Sequence, residues 1–191
     1  MSSGEPSTRQ KIIEAAFGCV DRWGIEKTTL DDVARYARLS RATVYRHFPG
    51  GREEVVQAVI AWQAASFLTG LYEAIHGAES LQELLVRFIG YARKSLKEHA
   101  VLNKVLSSEA DVLLPKLTTE ADLLAGSISG VLVPYLSRFG IRKGLPVREA
   151  ADYLSRMLFS YTSSPGQWNL EDPAQVADLV RVELLGGIGA S

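Results

Sequence analysis

Five arginines occupy one short stretch of the chain, residues 33–52, and no acidic residue lies among them. They are Arg35, Arg38, Arg41, Arg46 and Arg52. The stretch stands out because the whole chain of 191 residues has a net charge of −1. A planar guanidinium group binds phosphate oxygens or a guanine edge through two parallel hydrogen bonds. The clustering therefore predicts a local phosphate-facing surface, whereas the overall charge excludes a protein that coats nucleic acid by bulk charge.

Two short capped helices are predicted in and just before this stretch. Thr29 can cap a helix that continues to Ala37, because acidic residues follow in its first turn. Ser40 can cap a second helix that carries Phe48 inward, before a Pro-Gly-Gly sequence. A turn of about three residues joins them, which is typical of a helix-turn-helix, whose second helix enters the major groove of DNA.

The second of these helices is expected to have one apolar and one polar side, with Val44 and Phe48 pointing into the core. The other side then shows Arg41, Ala42, Thr43, Tyr45, Arg46 and His47. Arginine can bind guanine, methyl groups can contact the thymine methyl, and hydroxyl groups suit phosphates. From spacing and charge alone, a solvated basic face on an ordinary three-helix domain remains the alternative.

The sequence from Thr28 to Phe48, TTLDDVARYARLSRATVYRHF, resembles the DNA-binding segment of the tetracycline-repressor (TetR) family of bacterial regulators. Ala15-Ala16-Phe17 and Trp23-Gly24 also match the first helix of that family. The resemblance covers roughly residues 7–60, and its most specific part is the sequence Tyr-x-His-Phe that ends at Phe48. The C-terminal two-thirds match only as an all-helical layout of suitable length.

The resemblance implies roles for individual residues of this sequence. Thr29 would contact a phosphate as the N-cap of the second helix, Arg41, Ala42 and Thr43 would face bases or the groove, and Tyr45 and His47 would contact phosphates. Two positions depart from the family pattern. Many members have glycine where this chain has Arg38, so either the turn differs or this arginine adopts a strained backbone. Many also have lysine where this chain has Gly51, and Arg52 is the candidate for that phosphate contact.

The helical period dominates the whole sequence, which predicts an all-α protein. We expect a three-helix DNA-binding domain over residues 1–50, beginning with a helix between Ser7 and Gly24, and a larger helical bundle over residues 51–191. The helices predicted in the bundle run over residues 52–76, 80–96, 100–113, 117–139, 147–161 and 172–185. Pro134 is expected to kink or break its helix, and the glycine-rich residues 186–189 to be disordered.

The resemblance also implies an effector pocket in the bundle, although the plain role of its many aromatic side chains is to fill the core. The candidate pocket residues are Trp62, Phe67, Phe88 and Tyr91. The segment Val55–Tyr72 contains no charged residue, so we expect a largely apolar effector. Its polar residues favour a helix buried on most sides over a membrane-spanning one.

A single recognition helix reads only a short half-site, so useful specificity calls for a homodimer on a palindromic operator. Family members dimerise through their last two helices as a four-helix bundle, which the resemblance carries over to this chain. The candidate interface residues are Leu154, Met157, Leu158, Tyr161, Val176, Leu179 and Val180.

Nothing in the sequence supports catalysis, a cofactor or a metal. There is no Gly-x-Ser-x-Gly motif, and Glu73 with His76 is a single pair where a metal site would need more ligands. The one cysteine, Cys19, fits a core residue in a reducing cytoplasm. These observations favour a cytoplasmic, ligand-released transcriptional repressor. The alternative is a helical-bundle enzyme or carrier that acts on a small apolar molecule, with the basic segment incidental.

Overall fold

Three helices form the N-terminal part of the chain in the computed structural model: α1 (Thr8–Trp23), α2 (Leu30–Ala37) and α3 (Arg41–His47). The structure describes residues 6–98 and 110–188, with the side chains of all of these except 110–124. Within these ranges every regular element is a helix, which confirms the predicted all-α class. Most of the helix predicted over residues 100–113 lies outside the described residues.

Local sequence signals set the ends of the first three helices. Ser7 caps α1, because its hydroxyl oxygen accepts a hydrogen bond from Gln10 N at 3.1 Å. Gly24 ends α1 with a φ of 87°. Ser40 caps α3 in the same way and accepts from Thr43 N at 3.1 Å. The caps and the glycine stop predicted at these positions are confirmed.

One apolar cluster joins α1, α2 and α3 to the start of the next helix, α4 (Gly51–Ile75). Its buried members are Ile12, Ile13, Ala15, Ala16, Cys19, Leu30, Val33, Ala34, Val44, Phe48, Val55 and Val59. Helices as short as α2 and α3 are not stable alone in water. Burying a large apolar side chain contributes about 1.5–3 kcal/mol, so this cluster is what holds the two short helices in place.

The remaining helices are α4, α5 (Leu81–Glu98), α6 (Ala110–Phe139), α7 (Val147–Ser163) and α8 (Pro173–Leu179). A second apolar cluster, with Leu84, Leu132 and Leu154 fully buried, lies among them. The chain divides into two compact units, the first of which extends to Ser66, while the second begins at Phe67. Helix α4 therefore contributes residues to both units.

Helix α4 differs from the helix buried on most sides that the sequence predicted. Its buried residues are Val55, Val56, Val59, Leu71 and Ile75. They lie near its two ends, whereas residues 60–70 are half-buried or exposed. Of the most apolar 18-residue stretch of α4, 22% is buried. By length and composition, α4 is the one helix in the described part of the chain that could cross a membrane. That is weak evidence, because both of its ends pack into the apolar clusters of this chain.

Helix α6 continues through two prolines at which the sequence predicted an end or a kink. Pro115 and Pro134 both lie inside Ala110–Phe139. A proline in a helix removes one backbone hydrogen bond. However, Leu132 and Leu136 on either side of Pro134 are fully buried, so their packing retains the helix at this point.

Residues 186–188 are helical where the sequence predicted disorder over residues 186–189, and Gly189 lies outside the described residues. Helix α8 continues through a π-helical segment, Val180–Leu185, into a last helical turn, Gly186–Ile188. Ile188 is fully buried, and burial of its side chain explains why a glycine-rich sequence stays helical. The Tyr153 hydroxyl donates to the Glu183 carbonyl oxygen at 3.0 Å and thereby supports the widened helix.

Candidate nucleic-acid interface

A capping box fixes the start of α2. Thr29 Oγ1 accepts a hydrogen bond from Asp32 N at 3.2 Å, and Thr29 N donates to Asp32 Oδ2 at 3.3 Å. The Thr29 hydroxyl also donates to Asp32 Oδ2 at 2.6 Å, and this bond is the largest cause of the lowered pKa of the Asp32 carboxyl group. The hydroxyl hydrogen of Thr29 is therefore directed at Asp32, and a phosphate bound by that hydroxyl would have to replace this bond.

The turn between α2 and α3 contains an arginine in the left-handed conformation. Arg38 has a φ of 56° and a ψ of 40°, and no other non-glycine residue has a positive φ in the described ranges. Its N–H donates to Arg35 O at 3.2 Å, and Leu39 N donates to Ala34 O at 2.9 Å. These bonds satisfy carbonyl groups at the end of α2. Of the two outcomes expected for Arg38, the strained backbone is the one observed.

Two fully buried side chains anchor α3. Val44 and Phe48 have no exposed surface, as predicted, and the guanidinium carbon of Arg9 lies 4.6 Å from the centroid of the Phe48 ring. Tyr45 is 40% exposed, and Arg46 beside it is exposed as well. The two anchors therefore determine which side of α3 faces outward.

The outward side of α3 carries the residues that the sequence assigned to DNA. Arg41, Ala42, Tyr45 and Arg46 are exposed, while Thr43 and His47 are half-buried. The Thr43 hydroxyl lies 2.9 Å from the hydroxyl of Ser40, the cap of the same helix. All six side chains thus belong to one short helix of seven residues. Their contact with DNA stays a prediction.

Arg41 is held by two neighbours that sequence reasoning did not connect with it. Its Nη1 donates to Asp31 Oδ2 at 3.2 Å, and its Nη2 donates to the Tyr45 hydroxyl at 3.4 Å. The guanidinium group also lies over the Tyr45 ring, 5.5 Å from the centroid. The hydrogen bond with Tyr45, followed by the charge of Asp31, raises the pKa of Arg41. Asp31 and Arg41 are ten residues apart, and no local pattern indicates such a pair.

Arg52 lies in the first turn of α4 and donates to two backbone carbonyl groups. Its Nε donates to Thr28 O at 2.9 Å, and its Nη2 donates to Ile25 O at 2.5 Å. Both carbonyls belong to the connection between α1 and α2. Arg52 thus makes intramolecular hydrogen bonds, and its contact with a phosphate stays a prediction.

Three of the four candidate pocket residues, Phe67, Phe88 and Tyr91, belong to the second apolar cluster, and Trp62 belongs to the first. Their role in an effector pocket stays a prediction. Trp62 packs edge-on against Phe17, with ring centroids 5.7 Å apart, in the first cluster. Phe67 contacts Tyr91 at 5.4 Å between ring centroids, and Phe88 is buried in the core of the second unit.

The second unit contains a cleft of about 360 Å³ that none of these four residues lines. It is lined by Tyr72, Ser127, Gly130, Val131, Pro134 and Tyr135. All except Tyr72 lie on α6, where the sequence signal was the presence of glycine and proline within a helix. Burial, followed by the neighbouring Tyr72, raises the pKa of the Tyr135 hydroxyl.

Most of the predicted interface residues lie in the core of the second unit. Leu154, Leu158, Val176, Leu179 and Val180 are all buried. Within one chain they pack against other residues of the second apolar cluster. Their place in a dimer interface stays a prediction, as it does for Met157 and Tyr161, which are half-buried.

The fold and the basic outward face of α3 define a helix-turn-helix transcriptional regulator. Residues 12–59 match the sequence model of bacterial regulatory proteins, tetR family. The regulator SrpR of Pseudomonas putida is 30% identical to this chain in an alignment 165 positions long, which covers 65% of this chain and 73% of that protein. The chain belongs to the TetR family, whose members are transcriptional regulators and not enzymes.

Solved structures agree with this assignment. AlkX, a TetR family repressor from Dietzia sp., is 27% identical, has a TM-score of 0.65, and matches over 97% of this chain and 99% of its own. GusR of Salmonella enterica is 22% identical with a TM-score of 0.68, and matches over 98% of this chain and 99% of its own. At that identity, GusR supports the fold alone.

Proposed function

We propose that this regulator is a cytoplasmic repressor that binds a palindromic operator as a homodimer and is released from DNA by a small, largely apolar molecule. The observation that carries the proposal is the outward side of α3, which Val44 and Phe48 hold in a fixed orientation. Arg41 and Arg46 supply guanidinium groups for base edges and phosphates. Tyr45 supplies an exposed hydroxyl group for a phosphate.

The proposed dimer uses the exposed sides of α7 and of the π-helical segment after α8. Phe159 on α7 is 47% exposed and Val182 in the π-helical segment is 50% exposed. We place the interface here because burying these two side chains against a second copy would remove their apolar area from water. Met157 and Tyr161 are half-buried on the same helix as Phe159. A second copy is the proposed occupant, because two half-sites need two recognition helices.

The proposed effector site is the cleft between Tyr72 on α4 and the five residues of α6. Its volume of about 360 Å³ lies in the range of small-molecule sites. The lining contains no charged side chain, and its hydroxyl groups from two tyrosines and Ser127 provide a few polar contacts. A neutral, largely apolar ligand fits such a lining. AlkX is implicated in biodegradation of n-alkanes, which is consistent with an apolar effector class.

Selection of DNA by the wild-type protein tests the proposal. A duplex library with a random region of roughly 40 base pairs would contain two half-sites one or two helical turns apart. We expect the selected sequences to share an inverted repeat. The affinity of Tyr45→Ala for the selected duplex should fall about tenfold or more, because a hydrogen bond to a charged group contributes about 1.5–3 kcal/mol. Its helicity should stay unchanged, since Tyr45 is exposed.

The outcomes separate the parts of the proposal. If the library yields no enriched sequence, sequence-specific DNA binding fails. If the enriched sites have no inverted repeat, the palindromic operator fails. For the effector, a thermal-shift screen of alkanes and alcohols is followed by titration of the operator complex. A bound effector should weaken operator binding roughly 5- to 150-fold. A ligand that binds tightly but leaves DNA affinity unchanged would contradict the effector role.

A further inference from the structure

The contacts of Arg52 lead directly to the first residue of the α2 capping box. Its Nε donates to the carbonyl oxygen of Thr28, and the nitrogen of the same peptide group is Thr29 N, which donates to Asp32 Oδ2. A hydrogen bond on each side fixes the plane of this peptide group. Since the peptide group is planar, fixing it places the Thr29 nitrogen and Cα, and the hydrogen bonds of the Thr29 hydroxyl with Asp32 then orient its side chain.

The second contact of Arg52 fixes the preceding turn. Its Nη2 donates to Ile25 O, which also accepts a hydrogen bond from Thr28 N at 3.1 Å. Thr28 itself is 3% exposed, and its hydroxyl donates to Gly24 O at 2.7 Å. The connection from Gly24 to Thr29 is therefore held from one side by its own residues and from the other by Arg52.

We propose that Arg52 is a positioning residue, which acts on DNA binding through the α1–α2 connection and the Thr29 cap rather than through a phosphate contact of its own. The proposal rests on the DNA-binding role of α2 and α3 proposed above. Arg52 belongs to α4, so it ties the start of that helix to the start of α2. Its loss would shift the cap of α2 relative to α3 while leaving the apolar cluster of this unit intact.

Two substitutions separate the roles of charge and geometry at this position. Arg52→Lys keeps the positive charge but has a single ammonium group, which cannot reproduce the planar two-point contact with two carbonyl oxygens. Arg52→Gln removes the charge as well. A phosphate contact would survive in part with lysine, whereas the positioning contact would be lost in both variants. Arg46→Gln, on the exposed side of α3, serves as the comparison for a residue that contacts DNA directly.

The main measurement is the dependence of the dissociation constant on salt for the duplex selected by the wild-type protein. Removing one phosphate contact lowers the slope of log affinity against log salt concentration by about 1, so a substitution carried by both protomers of the proposed homodimer lowers it by about 2. We expect Arg52→Gln to keep the wild-type slope and Arg46→Gln to lose about two units of it. Arg52→Lys and Arg52→Gln should both weaken binding by about five- to tenfold, the effect of one or two lost hydrogen bonds.

Amide hydrogen exchange in the protein without DNA provides a second readout. Exchange at Thr29 N should be about five- to tenfold faster in Arg52→Lys, while exchange at Val44 N in the core stays at the wild-type rate. This measurement stays informative even if the library yields no operator, so failure of the proposed function and failure of this inference are distinguishable.

Three results would overturn the positioning role. The first is a slope lowered by about 2 in Arg52→Gln together with wild-type affinity in Arg52→Lys, which would make Arg52 a phosphate contact in each protomer. The second is unchanged exchange at Thr29 N in both variants, which would show that the Arg52 hydrogen bonds do not hold the cap. Equal acceleration at Thr29 N and Val44 N also counts against it, because it would indicate general destabilisation.

Discussion

Helices α3 and α7 use their apolar residues in opposite ways. In α3, the buried side chain Val44 and the following Phe48 hold the helix, and the remaining residues face outward. In α7, the buried residues are Ala150, Ala151, Leu154, Ser155, Leu158 and Thr162, and they form one long side packed into the second cluster. The outward side of α7 keeps a single large apolar residue, Phe159.

This difference decides which functional residues a sequence can reveal. Five arginines without an acidic residue are unusual in so short a stretch, so the residue types alone predict a DNA-binding role for α3. Apolar residues serve both cores and interfaces, and a leucine such as Leu158 has the same helical spacing in either. The sequence therefore indicates that α7 has an apolar side, but not whether that side meets its own chain or a second copy.

A pair of substitutions at adjacent positions of α7 tests which of its residues belong to the core and which to the proposed interface. Leu158→Glu places a carboxylate in a fully buried position and should destabilise the second unit by on the order of 4 kcal/mol. Phe159→Glu is at a 47% exposed position, so it should leave folding within about 1 kcal/mol and give monomers. Thermal unfolding measures the first effect, and sedimentation measures the second.

The reverse result would support the interface that the sequence predicts. If Leu158→Glu folds normally and sediments as a monomer, Leu158 lies at the interface of the assembled protein rather than in its core. If Phe159→Glu remains a dimer, the exposed side of α7 is not the interface. Phe159→Ala is a useful control, because it removes apolar area without introducing a charge.

The helix-turn-helix unit could be predicted in more detail than the second unit. Its helix starts depend on single side chains, and Ser7, Thr29 and Ser40 each cap the helix that the sequence assigned to them. The strained backbone of Arg38 was expected as one of two outcomes, because a left-handed residue is needed to close this turn.

Features that depend on distant contacts could not be predicted. Pro134 does not end α6, because the leucines beside it are buried by other helices. The last turn at Gly186–Ile188 is helical because Ile188 reaches the core. The pair of Asp31 with Arg41 forms across the turn, where the spacing of the two residues has no helical period. In each case, packing or a long-range contact decides the local structure.

Removing the Asp31 carboxylate tests how the outward side of α3 binds DNA. Asp31 holds Arg41 at 3.2 Å and places a negative charge beside a face proposed to meet phosphates. We expect Asp31→Asn to tighten binding of the selected duplex by about 2- to 5-fold, because exposed charge pairs have small effects. Titration at constant salt measures the change.

A double-mutant cycle shows whether the gain depends on Arg41. If Asp31 acts by holding Arg41, the gain should disappear in the Arg41→Ala background. If the gain persists there, Asp31 acts through general repulsion of DNA. Weaker DNA binding by Asp31→Asn would contradict both explanations. It would mean that the ion pair holds Arg41 in its binding orientation.

The smallest expected effect concerns the pH dependence of the α2 cap. The pKa of Asp32 is lowered chiefly by the hydrogen bond from Thr29, so the folded protein binds this proton more weakly than the unfolded chain does. The stabilisation is therefore fully present above the ordinary pKa of about 4 and is lost as the pH falls through the lowered value.

Asp32→Asn cannot ionise. Its deficit in free energy of unfolding, measured by urea at several pH values, should be constant above about pH 5 and shrink below about pH 4. A deficit for Asp32→Asn that stays constant throughout would mean that the cap stabilises α2 without its charge, and the start of α2 would then depend on the Arg52 contacts.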